Sequence, residues 1–220
     1  MTRYCLALFC LLALFVTPIH AAVEIKPAGD ARHIQSDSYT ADVAADGALT
    51  SINYKGQELL KPGVGISRGA YCFSHGFVAL NKIEQPDGTT IVAKADGKPS
   101  VTYAFEANAI NISVANTTAA PVQFIFVLDP AFNVVGNDSG QLLKMPAKQQ
   151  WGDTTWYAGD KQAHITGATA IWGPYMQNTN VVQADIGPGQ TRKISVQLGD
   201  IAPADVARVK DARDGKYVEP

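Results

Sequence analysis

The sequence is poor in what a small exported domain uses as staples or reactive groups. It has three cysteines, Cys5, Cys10 and Cys72, and the first two lie in an apolar N-terminal stretch. No internal disulfide framework is available to the remainder, so packing must hold the fold. Charge is also sparse and mixed: 18 Lys and Arg against 20 Asp and Glu give a formal net charge of −2, without a block of one sign. That gives no basis for a nucleic-acid or anionic-membrane partner. Beyond the N-terminal stretch, no apolar run approaches the roughly 20 residues that span a bilayer. Asn133, Asn137 and Asp138 do not match a calcium loop, and no cluster has metal-ligand or cofactor spacing, so no metal and no cofactor is expected.

What is present at the N-terminus is Arg3, an apolar run from Tyr4 to Val16, and Ile19-His20-Ala21 as a cleavage site. These predict a signal peptide over residues 1–21 and a secreted or periplasmic protein. Residues 22–200 then form one domain, and 201–220 a short helix and C-terminal tail. Asp200 is the expected cap, with Pro203 in the first turn, Val206 and Val209 on one side, and Gly215 as the stop.

Within 22–200 the dominant pattern has a period of two. Val101, Tyr103 and Phe105 alternate with polar or small residues, then Ile110, Ile112 and Val114, then Val122, Phe124, Phe126 and Leu128. Such runs are half-buried strands, and their short polar breaks predict an antiparallel meander of three neighbours. Asp46-Gly47 between Tyr39–Val43 and Leu49–Tyr54 predicts a hairpin. Ala22 to Asp37 reads as a lead-in pairing at His33–Gln35, and Ala70 to Leu80 as one long strand. From Asp129 to Ala168 the pattern weakens, as in irregular strands or binding loops. The fold class is all-β, an antiparallel two-sheet sandwich with a short C-terminal helix.

Three segments resemble the galactose mutarotase-like, or β-supersandwich, family: Tyr39 to Leu60, Thr102 to Pro130, and Ile186-Gly-Pro-Gly-Gln-Thr191 with the strand after it. The resemblance implies two sheets packed face to face, with sugars met on a concave face or its rim. Mutarotases use a Glu base and a His acid there. Here the glutamates Glu24, Glu58, Glu84, Glu106 and Glu219 include none in the late region where the family's catalytic base is expected, and Phe73-Ser-His-Gly-Phe77 lacks the Asn that precedes the family's His. The reading is a carbohydrate-binding protein without that dyad.

All three tryptophans lie between Trp151 and Trp172. Trp151, Trp156, Tyr157, Trp172 and Tyr175, with Gln150 and Asp153 beside them, offer flat apolar rings and hydrogen-bonding groups suited to a pyranose. Trp151 and Trp156 are the pair expected at the surface. His75 and His164 are candidates for acid and base. With Arg68 or Tyr157 they would serve the alternative, a polysaccharide lyase or aldose epimerase on the same scaffold; a structural or protein-interaction module is the third possibility. Gly65-Ile-Ser-Arg-Gly69 matches a serine nucleophile pattern but lacks the strand-to-helix context. Cys72 reads as a small core residue, and Asn111, Asn116 and Asn137 each begin a glycosylation sequon.

Overall fold

The computed structural model describes residues 23–216. The expected signal peptide lies outside them, as do Cys5, Cys10 and Glu219. In chain order the strands begin with β1 (Glu24–Ala28), β2 (Ala31–Gln35), β3 (Tyr39–Val43), β4 (Leu49–Tyr54), β5 (Gln57–Glu58), β6 (Ala70–Phe73) and β7 (Lys82–Glu84). They continue with β8 (Thr90–Lys94), β9 (Ser100–Phe105), β10 (Ala109–Ala115), β11 (Val122–Leu128), β12 (Val134–Asn137) and β13 (Leu142–Lys144). The last are β14 (Lys148–Gln149), β15 (Thr154–Ala158), β16 (Lys161–Thr166), β17 (Ala170–Trp172), β18 (Asn180–Ile186) and β19 (Thr191–Asp200), followed by α1 (Val206–Arg213).

They form two antiparallel sheets, as the alternation predicts. The first runs β1-β2-β3-β4-β6-β11-β18-β17-β14, with β5 beside β4; the second runs β13-β12-β15-β16-β19-β10-β9-β8-β7. Between them lies one core, to which the first sheet gives Ile34, Ala41, Ile52, Cys72, Phe124 and Val182, and the second Tyr103, Ile110, Trp156, Ile165 and Val196. The Asp46-Gly47 turn forms as expected: Gly47 has φ +81° and accepts the Tyr103 hydroxyl at 2.8 Å, tying the first sheet to the second.

Several expectations are corrected. The three alternating runs are not one meander: β9 and β10 pair with each other, but β11 lies in the other sheet between β6 and β18. Parity specifies which side chains face inward, not which sheet receives a strand. The crossing is braced by Asn116, whose amide donates to the carbonyls of Ala120, Ile186 and Gly187. The lead-in does pair at His33–Gln35, with β3, and in addition folds on itself as a hairpin of β1 and β2. The long strand from Ala70 stops at Phe73, where the chain turns through His75 with φ +57°. The weakly patterned region from Asp129 holds β12 to β16, short strands whose few residues each give little periodic signal. In α1 the cap position is Asp205, and Val209 and Ala212 are buried while Val206 is exposed.

Candidate functional site

The central strands of the first sheet are apolar on both faces. On β11, Phe124 and Phe126 face the core, while Ile125 and Val127 face outward and are still buried, 8% and 1% exposed. They are covered by a second cluster formed with Tyr71, Val181 and Ala48, against which Phe73, Phe77, Trp172 and Tyr175 pack. A pocket of about 190 Å³ opens in this outward face. Its floor is Ile125, Val127 and Val181; Tyr71, Phe73, Trp172 and Tyr175 rise around it, with Gln123 and Gln183 supplying amides.

Two loops complete the pocket. The loop from Pro62 to Arg68 is closed by a bridge between its ends and by Ser67, whose hydroxyl donates to the Lys61 carbonyl at 2.8 Å and accepts the Gly69 N–H at 3.2 Å. Ser67 is thus a buried loop brace rather than a nucleophile. Gly65, at φ +57°, lies so near the second loop that a Cβ there would be 2.6 Å from the Tyr175 hydroxyl and 2.8 Å from Met176 Sδ. The second loop returns to β18 through Thr179, whose hydroxyl donates to the Met176 carbonyl at 2.8 Å. Ile66 and Met176, each more than half exposed, form an apolar lip where the loops meet.

Polar groups at the rim are linked in a chain. The Trp172 indole N–H donates to Gln183 Oε1 at 3.3 Å. Gln183 and Gln123 both donate to Asp185 Oδ1, at 2.9 and 3.0 Å, and Thr169 donates to Asp185 Oδ2 at 2.7 Å. Partial burial pushes the Asp185 carboxyl up, but these hydrogen bonds outweigh it and hold the group below its ordinary value. The Tyr71 phenol is pushed up to about 12, by burial first and then by nearby Tyr175. It is therefore a neutral hydrogen-bonding group at neutral pH and not a base. Tyr71 also meets the Phe77 ring edge-on at 5.8 Å, and the Arg68 guanidinium lies 5.1 Å from the centre of that ring.

The structure does not keep the sequence-predicted cluster together. Trp172 and Tyr175 stand in the pocket, edge to face at 5.9 Å. Trp156 is a correction: strand alternation in β15 turns it inward, and it is fully buried with its indole N–H on Thr154 at 3.1 Å. Tyr157, its neighbour, faces the other way and is buried beside Val209 and Ala212 of α1. Trp151 is half-buried against the main core, Gln150 is exposed, and Asp153 accepts the Gly167 N–H at 2.8 Å.

The two histidines are not brought together. His75 sits on an exposed turn after β6, whereas His164 lies on the outer face of the second sheet with Nδ1 2.9 Å from the Thr155 hydroxyl. Tyr71, Phe73, Gln123, Gln183 and Asp185 were missed. The available signal was the apolar residues of both parities in Tyr71-Cys-Phe73, Val122 to Leu128 and Val181-Val182, which an ordinary half-buried sheet does not need. Among the described residues no glutamate lines the pocket, no group of metal-ligating side chains converges, and no helix is long and apolar enough to cross a membrane.

Comparison with solved structures identifies this architecture. A candidate mutarotase from Salmonella typhimurium matches 84% of the chain over 95% of its own length, with TM-score 0.53 and 10% identity. A galactose mutarotase-like protein from Clostridium acetobutylicum matches 83% of the chain over 99% of its own, with TM-score 0.53 and 9% identity. The chain has the galactose mutarotase-like fold. The same fold occurs within longer chains: a TPR-domain containing protein from Parabacteroides distasonis matches 83% of this chain over 54% of its own, with TM-score 0.52 and 10% identity. No family model matches the sequence, and no curated protein matches it. At this level of identity the mutarotase-like likeness concerns the fold alone.

Proposed function

We propose that this is an exported carbohydrate-binding protein that holds a sugar in the outward pocket of the first sheet and does not transform it. The observation that carries the reading is the pocket's composition: Trp172, Tyr175, Tyr71 and Phe73 surround a space of about 190 Å³, the scale of one sugar ring, with the Gln123 and Gln183 amides at its edge. Flat rings stack on the apolar face of a pyranose while amides take its hydroxyls. The mutarotase and galactose mutarotase-like names of the fold neighbours add a carbohydrate-related precedent.

Binding is favoured over catalysis because a proton shuttle needs an acid and a base within reach of one substrate. His75 lies on the turn after β6 and His164 in the second sheet, Asp185 already accepts hydrogen bonds at both carboxylate oxygens, and the Tyr71 phenol is held neutral. Export rests on the leader-like residues 1–21.

The test is titration of the protein without residues 1–21 with mono- and polysaccharides, following tryptophan fluorescence and assaying for unsaturated or epimerised products. Quenching without product, lost in Trp172→Ala, is the expected result. Product formation would replace the reading by the lyase or epimerase alternative. Unchanged binding in Trp172→Ala would remove the site assignment.

A further inference from the structure

The pocket's hydrogen-bonding side chains stand at its edges, and its floor of Ile125, Val127 and Val181 carries none. Eight of its lining side chains are Ile66, Tyr71, Phe73, Ile125, Val127, Trp172, Tyr175 and Val181, and the remaining two are Gln123 and Gln183. Both amides are already committed: each donates one N–H to Asp185, and Gln183 Oε1 accepts the Trp172 indole. What is left is the Gln123 carbonyl, one N–H on each amide, and the Tyr71 and Tyr175 phenols, which have no partner among the described residues. These groups lie at the edges of an aliphatic floor of Ile125, Val127 and Val181. A hexopyranose carries hydroxyls around most of its ring, and a hydroxyl pressed onto that floor would lose its water without replacement. A methyl group there would gain from the same burial.

Resting on the carbohydrate reading above, we infer that this pocket selects sugars bearing a methyl group, which sits on the Ile125–Val127–Val181 floor. The methyl belongs either to a 6-deoxyhexose or to an acetyl substituent. The lip of Ile66 and Met176 fits the same preference, since it extends apolar surface from the pocket to its rim. A floor that received a hydroxyl would need an unpaired polar side chain to replace its water. Here the polar chain from Trp172 through Gln183 to Asp185 stands to one side of the floor, with most of its hydrogen-bonding groups already engaged with one another.

Calorimetric titration with matched pairs tests this: L-fucose against L-galactose, L-rhamnose against L-mannose, and N-acetylglucosamine against N-formylglucosamine, which keeps the amide and lacks the methyl. The first two pairs test the deoxy source of the methyl and the third the acetyl source. The expected result is that the methyl-bearing member of at least one pair binds tenfold or more tightly, about 1.4 kcal/mol. Val181→Thr, which adds a hydroxyl to the floor at nearly constant volume, should reduce that ratio to a few-fold. Equal affinity within every pair, with all binding lost in Trp172→Ala, would overturn the methyl preference and leave the carbohydrate site standing. Absence of binding by every sugar would overturn both.

Discussion

The Trp172 indole is fixed by Gln183 on the adjacent strand, its N–H 3.3 Å from Oε1 where β17 and β18 run side by side. Gln183 is held in turn by Asp185 at 2.9 Å. The ring is thereby positioned before any ligand arrives, so little side-chain freedom remains to be lost on binding.

Replacing that ring should remove the site's main contact. Trp172→Ala is expected to weaken sugar binding by on the order of 2 kcal/mol, the range of a central aromatic anchor. Trp172→Phe keeps an apolar face but frees Gln183, and should lose less. Calorimetric affinities of the two variants, with melting temperatures to show that both fold, check the order.

Asp200 joins the sheets through charge. Its Oδ1 lies 2.8 Å from Lys161 and its Oδ2 2.7 Å from Lys55, on the turn after β4. Hydrogen bonds from Lys161, then Lys55, lower its carboxyl to about 2. A carboxyl depressed in the folded state stabilises it above the unfolded value, about 3.9, and that contribution is lost as pH falls through the folded one. The melting-temperature gap between the parent protein and Asp200→Asn should stay level from neutral pH to about pH 5 and close between about pH 4 and pH 2. The cluster is exposed, so added salt should shrink the gap throughout.

Cys72 faces the core from β6, 2% exposed, and burial pushes its thiol up to about 12. The thiolate is the reactive form. A disulfide reagent at mildly alkaline pH should leave Cys72 unmodified in the native protein and label it fully once denaturant unfolds the chain. Rapid native labelling would contradict this placement of β6.

Much of the fold was legible because alternation survives in strands such as β3, β9 and β10. Val101, Tyr103 and Phe105 point inward as their parity requires, and Asp46-Gly47 turns where the pattern breaks. What local pattern does not encode is the long-range choice of neighbour: β11 has the same parity signal as β10 yet joins the opposite sheet. The site was half legible. Trp172 and Tyr175 were visible by residue type, but Trp156 has the same composition around it and faces the core, because position within β15 and not local polarity decides its direction. The stronger sign was negative: Ile125 and Val127 occupy positions where a solvated face would carry polar groups.

Asn116 shows why a sequon can be silent. It begins Asn-Thr-Thr but is 1% exposed. Its amide donates to Ala120, Ile186 and Gly187, and its carbonyl accepts the Thr118 N–H at 3.0 Å and the Thr118 hydroxyl at 2.8 Å. Every polar atom of the side chain is used where β10 crosses to β11. In a glycosylating host, mass spectrometry of the folded protein should find Asn116 unmodified. Asn116→Ala would strand buried carbonyls at that crossing and should cost about 3 kcal/mol. Asn116→Asp would remove the donating amide and place a carboxylate among the same three carbonyls, so it should be at least as destabilising as alanine. Chemical denaturation of the two variants checks both the size and the order. A loss under about 1 kcal/mol for both would mean that the crossing is held by its strands and not by this side chain.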